Sequence, residues 1–182
     1  MGCGSATPQK AISNHQLGQR VDTNDEWIQS RTGICERRVI GDHESLIDLA
    51  TDAALNAIEM ANWDVKTIDL IILATSTPED LCGSAPKIQS KVGASNAFAF
   101  DLTAACSGFL FALVTASQYL ASGSIKRAVV IGADQLSKWV DWDDRKTCVL
   151  FGDGAGAVAL ESSCDESGFI GYDLKSDGSK GG

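Results

Sequence analysis

The sequence has few prolines, few basic residues and no long apolar run, and each shortage excludes a class of protein. Only 3 of 182 residues are proline, and no repeat or low-complexity stretch marks a linker, so one domain, or part of one, is expected over residues 1–182. Fifteen basic against 24 acidic residues argue against a nucleic-acid-binding surface. No run approaches the roughly 20 apolar residues that span a bilayer, and no signal peptide opens the chain, so no membrane partner is expected.

Patterns typical of metal sites are also missing. The cysteines stand at positions 3, 35, 82, 106, 148 and 164, without a C-x-x-C pair or a short Cys/His spacing, so we expect no metal. Free thiols persist in a reducing compartment, and we therefore predict a cytoplasmic protein.

The order of apolar segments predicts an α/β fold. Residues 69–75 and 127–132 are continuous apolar runs, which suit strands covered on both faces of a mainly parallel sheet. Helical spacing predicts a long amphipathic helix from Ser45 to Ala61, with Asn62 as its C-terminal cap. The alternation of strands and helices predicts right-handed crossovers in a layered domain. Further elements are expected as helices at 14–21, 25–31, after Ser84 and at 106–122, and as strands at 97–102, 157–161 and 168–174.

Local motifs predict three boundaries. Residues 2–8 are typical of the loop after a strand, so we expect the chain to lack that strand. Thr23 and Glu26 fit a T-x-x-E capping box at the start of the second helix. Glycine-rich residues 152–156 lack the G-x-x-x-x-G-K pattern of a phosphate loop, which favours a tight turn near the active site. Residues 177–182 are expected to form a loop.

One cysteine, Cys106, is the strongest candidate for chemistry. In D-L-T-A-A-C-S-G-F, residues 101–109, a predicted strand turns into a predicted helix that is buried on most sides. Unpaired amides and the dipole at a helix start favour a thiolate, and they can also stabilise an oxyanion. The flanking small residues permit close approach of a substrate carbonyl, so we predict an acyl-accepting nucleophile. The residues alone leave open an inert packed cysteine or a redox-active one.

Three segments resemble the 3-oxoacyl-acyl-carrier-protein synthase III family of the thiolase superfamily. They are D-L-T-A-A-C-S-G-F at 101–109, D-E-W-I-Q-S-R-T-G-I-C-E-R at 25–37 and F-G-D-G-A-G at 151–156. The resemblance implies a thiolase-like fold, layered α/β/α/β/α in the full protein. It also implies that residues 1–182 are the N-terminal half, truncated at both ends, with a mixed, mainly parallel sheet.

The resemblance assigns roles to single residues. In the family a cysteine, here Cys106, takes an acetyl group from acetyl-CoA, and the acyl-enzyme condenses with malonyl-acyl-carrier protein, releasing carbon dioxide at the start of type II fatty acid synthesis. Trp27 and Arg145 match residues that stack on the two faces of the CoA adenine, an arrangement that suits a purine. Arg31 and Thr23 fall where the family contacts CoA. From the residues alone, Trp27 would be a core aromatic and both arginines would be solvated.

Two further implications concern specificity and assembly. Phe151 matches a residue that lines the acyl pocket and limits chain length, although core packing explains it nearly as well. The family forms homodimers and holds no permanent cofactor, so acetyl-CoA is expected as a substrate only.

The catalytic histidine and asparagine of the family are not found in this sequence. The only histidines, His15 and His43, match no catalytic motif and are expected to be solvated. We therefore expect an incomplete chain that is inactive alone. Two alternatives stay open: another thiolase-fold condensing enzyme, of polyketide, quinolone or hydroxymethylglutaryl type, or a non-catalytic acyl-binding or dimerisation half that partners a second chain.

Overall fold

A mixed sheet of five strands forms the centre of the fold, with helices on both of its faces. The computed structural model describes residues 1–163 and 168–180. The strands are β1 Gly2–Ala6, β2 Ala11–Ser13, β3 Glu36–Arg38, β4 Leu70–Ala74, β5 Phe98–Leu102, β6 Arg127–Gln135 and β7 Asp153–Glu161, and the α-helices are α1 Asn14–Gly18, α2 Asp25–Thr32, α3 Leu46–Ala61, α4 Ala85–Val92 and α5 Gly108–Ala121. The sheet order is β1-β7-β6-β4-β5, and β2 pairs with β3 in a separate antiparallel ribbon.

Strand β4 lies in the middle of the parallel part of the sheet. It pairs in parallel with both β5 and β6, and all of its residues are buried. Ile71 and Leu73 face a cluster that includes residues of α3 and α4, while Leu70 and Ile72 face α5. Because both faces of this strand are covered, its sequence is uniformly apolar rather than alternating. The predicted parallel centre is confirmed.

Helix α3 follows its sequence pattern closely. Ser45 caps it by accepting a hydrogen bond from the Asp48 N–H at 3.0 Å, and the Glu79 carboxylate accepts from the Leu46 N–H at 2.8 Å. Asn62 ends the helix in the left-handed conformation, with φ at 55°. The predicted helix and its cap are confirmed, since an apolar stripe and short polar caps are local signals.

Strand β1 contradicts the expectation of a loop after a missing strand. Gly2–Ala6 is itself a strand, and it pairs antiparallel with β7 at one edge of the sheet. The sequence does not indicate this strand, because G-C-G-S-A contains no β-branched residue. A Cβ atom on Gly2 would lie 2.2 Å from the Ala57 carbonyl oxygen, and one on Gly4 2.3 Å from that of Ala53. The glycines therefore let β1 approach the backbone of α3.

Gly4→Ala is expected to lower the free energy of unfolding by about 1–3 kcal/mol, because the added methyl group meets helix backbone that cannot move aside. Gly156→Ala in the neighbouring strand is the matched control, since its nearest contact would be 3.9 Å away. Urea unfolding followed by tryptophan fluorescence measures both. Equal stability of the two variants would show that β1 does not pack this closely.

Several predicted boundaries are wrong. The second helix is capped by Asn24, whose side chain accepts from the Trp27 N–H at 2.8 Å, so the Thr23–Glu26 capping box does not form. Helix α1 ends at Gly18 instead of residue 21. Strand β7 begins at Asp153, so most of the predicted turn at 152–156 is strand. No strand forms at 168–174, where every residue except Leu174 is exposed.

Helix α5 is less buried than its apolar sequence predicts. It packs one face on the sheet through residues such as Ala112 and Ala116, which contact the buried side chains of β4 and β6. Leu110 on its outer side is 56% exposed. The prediction of burial on most sides is therefore wrong, because only one layer of the described chain covers this helix. Among the described residues, no helix is long and apolar enough to cross a membrane.

Candidate active site

Cys106 lies in the connection between β5 and α5. A 3₁₀ turn spans Ala105–Ser107, and the α-helix begins only at Gly108, so the predicted helix start at Cys106 is two residues too early. Ala105 has a φ of 47°, in the left-handed region that costs a non-glycine residue about 1–3 kcal/mol. This strained residue directly precedes Cys106 and turns the chain so that the thiol is exposed rather than packed in the core.

The start of α5 carries no side-chain cap and no acidic residue in its first turn. At the starts of the other α-helices of the described chain, side chains accept hydrogen bonds from the backbone. Ser13, Asn24 and Ser45 accept backbone N–H groups at the starts of α1, α2 and α3, and Asp101 accepts from Ser84 and Ala85 at the start of α4. The positive end of the α5 dipole thus lies beside Cys106 with no acidic residue in the first turn to compensate it, which stabilises negative charge that develops there during a reaction.

The backbone amides nearest to Cys106 are partly occupied. Ser107 N–H donates to the Ala104 carbonyl at 3.1 Å, and Gly108 N–H donates to the Ala105 carbonyl. The prediction that unpaired amides surround the sulfur is therefore wrong at these two positions, because the 3₁₀ turn provides them with acceptors. What the helix start offers Cys106 is its dipole.

A cavity of about 270 Å³ opens beside the thiol. It lies where β4 and β6 end and where β7 begins, and crevices at the carboxyl ends of parallel strands commonly bind ligands. The lining residues are small or apolar except at Cys106 and Asp134; they are Ala74, Ala105, Cys106, Phe109, Gly132, Ala133, Asp134, Gly152 and Gly154. A Cβ atom at Gly132 would lie 3.2 Å from the Phe109 ring, which would have to shift slightly to accommodate it.

Asp134 was not singled out from the sequence. Its Oδ1 atom accepts hydrogen bonds from Ser76 N–H at 2.8 Å, from Thr77 Oγ1 at 3.1 Å and from Thr75 Oγ1 at 3.3 Å. The carboxylate thereby fixes the segment after β4 against the end of β6. Its position at the carboxyl end of a buried strand is the signal that could have found it.

Both histidines lie outside the Cys106 cavity. His15 is in α1 and His43 is in the connection before α3; both are exposed, and neither lines the cavity. Their predicted solvation is confirmed.

Three of the predicted CoA-contacting residues meet in one place. The Arg145 guanidinium carbon lies 4.6 Å from the centroid of the Trp27 ring, and that of Arg31 lies 5.3 Å from it. Cations at these distances are attracted by the negative face of an indole. Arg31, which is exposed, and Arg145 both contact the half-buried Trp27 ring, and the residues alone did not indicate this contact.

The structure does not connect Thr23 or Phe151 to the site that the resemblance assigns to each. The Thr23 hydroxyl is buried and has no hydrogen-bond partner within the described part of the chain. Phe151 is 39% exposed, and the cavity beside Cys106 is lined by its neighbour Gly152 instead. The role of Phe151 in limiting acyl length stays a prediction.

A buried arginine, Arg37, supports the segment that leads to the cavity. It is 4% exposed and donates to Asn14 Oδ1 at 2.6 Å and to the Ile12 and Val149 carbonyls at 3.0 and 3.4 Å. Burial lowers the pKa of Arg37 and raises that of the neighbouring buried Cys148 thiol. Cys148 is thus kept protonated and enclosed, which agrees with a packing role.

Three further cysteines of the described residues lie on the surface. Cys3, Cys35 and Cys82 are free and exposed, and Cys164 lies outside the described residues. Within residues 1–163 and 168–180, no group of three or more His, Cys, Asp or Glu side chains could hold a metal ion.

Comparison with known proteins identifies relatives of this fold and site. The sequence model of the family 3-oxoacyl-[acyl-carrier-protein (ACP)] synthase III matches residues 100–178. Beta-ketoacyl-[acyl-carrier-protein] synthase III from Prochlorococcus marinus strain NATL2A is 87% identical over the whole chain, which covers 54% of that protein. The synthase III of strain MIT 9313 is 67% identical over the same extent.

Solved structures agree. The 3-oxoacyl-[acyl-carrier-protein] synthase III from Aquifex aeolicus VF5 superposes with a TM-score of 0.87 at 48% identity, over 91% of this chain and 54% of its own. The enzyme from Pseudomonas aeruginosa PAO1 gives a TM-score of 0.92 at 39% identity, over 98% and 56%.

The mixed sheet, with a cysteine at the turn from β5 to α5, defines a thiolase-like α/β protein, as the resemblance implied. The chain is similar over its whole length to proteins of the 3-oxoacyl-[acyl-carrier-protein] synthase III family. It spans about half the length of the curated relatives it matches.

Proposed function

We propose that the protein is an acyltransferase that condenses acetyl-CoA with malonyl-acyl-carrier protein. The products are acetoacetyl-acyl-carrier protein, CoA and carbon dioxide, and the reaction initiates type II fatty acid synthesis. The observation that carries the proposal is the exposed Cys106 thiol, which lines a cavity in front of an uncapped helix in a chain similar to the synthase III family.

The first half-reaction uses Cys106 as nucleophile. Its thiolate attacks the carbonyl carbon of acetyl-CoA, a carbon–sulfur bond forms, and the bond to the CoA sulfur breaks with release of the CoA thiolate, which takes up a proton. The positive end of the α5 dipole stabilises the attacking thiolate and the transient oxyanion. Small lining residues such as Ala105 and Gly132 leave room for an acetyl group beside the thiol.

The second half-reaction needs groups that the cavity lacks. Malonyl-acyl-carrier protein loses carbon dioxide, and the resulting carbanion attacks the acetyl carbonyl and expels the Cys106 thiolate. Hydrogen-bond donors must stabilise the enolate that forms on decarboxylation. Asp134, the other polar side chain of the cavity lining, is a carboxylate and would repel that charge. A histidine and an asparagine from outside these 182 residues supply the donors in this proposal.

The Trp27 cluster serves as the site for the CoA nucleotide. Arg145 lies against the Trp27 ring in this structure, so it must move outward before an adenine can stack on the indole and meet the Arg145 guanidinium on its other face. Arg31 adds positive charge for the CoA phosphates, and the unpartnered Thr23 hydroxyl would donate a hydrogen bond once the residues that bury it move aside. We further propose a cytoplasmic homodimer with no permanently bound cofactor.

A second candidate is a priming ketosynthase for another product. The priming beta-ketosynthase of the R1128 polyketide pathway superposes with a TM-score of 0.86, at 36% identity. The relatives at 87% and 67% identity are synthase III proteins, which favours the acetyl primer.

The test uses the complete synthase, meaning this sequence joined to the remaining part of the 87% identical relative. With radiolabelled acetyl-CoA and malonyl-acyl-carrier protein we expect labelled acetoacetyl-acyl-carrier protein. Acetyl-CoA should give the highest kcat/KM when it is compared with butyryl- and octanoyl-CoA. A preference for the longer primers would support the polyketide-type alternative, and no condensation with any primer would contradict the proposal.

A further inference from the structure

Two charged segments face each other beside Trp27. Arg20-Val21-Asp22 belongs to the connection between α1 and α2, and Asp143-Asp144-Arg145 belongs to the connection between β6 and β7. The first segment begins with a basic residue and ends with an acidic one, and the second does the reverse. Arg20 Nε lies 2.8 Å from Asp143 Oδ1, and Arg145 Nη1 lies 3.8 Å from Asp22 Oδ2. The two segments are thus joined by reciprocal ion pairs, one short and one at the limit of contact.

The three aspartates near Arg145 differ in their partners. Asp141 accepts a hydrogen bond from the Asp143 N–H at 3.0 Å, and Asp144 accepts from the Lys146 N–H and Thr147 Oγ1, each at 3.0 Å. These bonds close local turns. Asp143 instead pairs with Arg20, 123 positions earlier in the chain. Arg20 holds the pKa of the Asp143 carboxyl below its ordinary value, so the pair is fully charged at neutral pH.

Arg145 is weakly held in its present position. Its partner Asp22 is fully exposed and 3.8 Å away, and such a contact contributes little in water. Asp143 and Arg145 are two residues apart in the same connection. Without Arg20, the free Asp143 carboxylate would compete for Arg145 and would add a negative charge beside a polyanionic ligand.

We propose that Arg20 is a positioning residue for CoA binding: by pairing with Asp143 it keeps that carboxylate away from Arg145, which remains free to move outward from the Trp27 ring and cover the adenine. The inference rests on the proposed CoA site. The two segments do not depend on this pair for folding, since Leu17, Ile28, Cys148 and Val149 form a buried cluster beneath them.

The test is a double-mutant cycle in the complete synthase, with CoA affinity measured by calorimetry. Arg20→Gln should raise the Kd for CoA about two- to fivefold, the range that exposed ion pairs contribute. Asp143→Asn should leave CoA affinity unchanged or improve it, and the double variant should return to the original Kd. The KM for acetyl-pantetheine, which lacks the adenosine phosphate, should not change in any of them.

Two further variants distinguish a failure of the proposed CoA site from a failure of the role proposed for Arg20. Lys91→Gln removes an ion pair of similar exposure between α3 and α4, 2.8 Å to Asp48, and should leave the Kd unaltered. Trp27→Ala tests the CoA site itself, because stacking on an aromatic ring contributes about 5- to 150-fold per base. If Trp27→Ala has no effect, the CoA site and this inference both fail. If it weakens binding but Arg20→Gln does not, or if the double variant stays as weak as Arg20→Gln, only the role of Arg20 is wrong.

Discussion

Replacement of Cys106 by serine in the complete synthase is expected to lower acetyl transfer to the protein at least about a thousandfold. A thiolate is accessible at neutral pH, whereas a serine hydroxyl needs a general base beside it. The cavity lining offers only the Asp134 carboxylate, whose Oδ1 atom already accepts three hydrogen bonds. Transfer of radiolabel from acetyl-CoA to protein, followed over seconds to hours, measures the loss.

Cys82→Ser is the matched control for this substitution. Cys82 is also free and exposed, but it lies before α4 and does not line the cavity. Its replacement should leave the rate of acetyl transfer unchanged, while the fold of both variants is checked by circular dichroism. Persistent labelling of a folded Cys106→Ser protein would remove Cys106 from the role of nucleophile.

The 182-residue chain alone is expected to give no acetoacetyl-acyl-carrier protein, a loss of at least about a thousandfold relative to the complete synthase. The physical reason lies in the cavity, whose polar side chains are one thiol and one carboxylate, so its lining has no histidine or amide side chain to stabilise the enolate. Both histidines are exposed elsewhere. Product formation from radiolabelled acetyl-CoA and malonyl-acyl-carrier protein measures the difference at equal protein concentration.

The control for this second prediction adds the missing donors. The complete synthase should condense the two substrates, and its Cys106→Ser variant should not. Turnover by the 182-residue chain at a rate near that of the complete synthase would show that residues 1–182 contain every group the reaction needs.

The sequence predicted those parts of the fold that have strong periodic signals. The apolar run of β4 and the stripe of α3 each reflect burial that the residues themselves record. Strand β1 has no such signal. Its glycines are required because the backbone of α3 lies so close, and glycine has a low propensity for strands. For helix α5 the sequence predicted too much burial: it is apolar on most sides, whereas the described chain covers only one face.

The candidate site likewise has some features that the sequence predicts and others that it does not. Cys106 and Trp27 lie in contiguous motifs, so both could be found from the sequence. The left-handed Ala105 and the uncapped start of α5 depend on backbone geometry that composition does not encode. The pairing of Arg20 with Asp143 joins distant parts of the chain, and no local pattern predicts such a contact.

The most direct test of the central claim is to locate the acetyl group. The complete synthase is incubated with acetyl-CoA alone, quenched in acid, digested and sequenced by tandem mass spectrometry. The proposed mechanism predicts one acetyl thioester, on Cys106, that disappears when malonyl-acyl-carrier protein is added before the quench. An acetyl group on any other cysteine, with Cys106 unmodified, would contradict it.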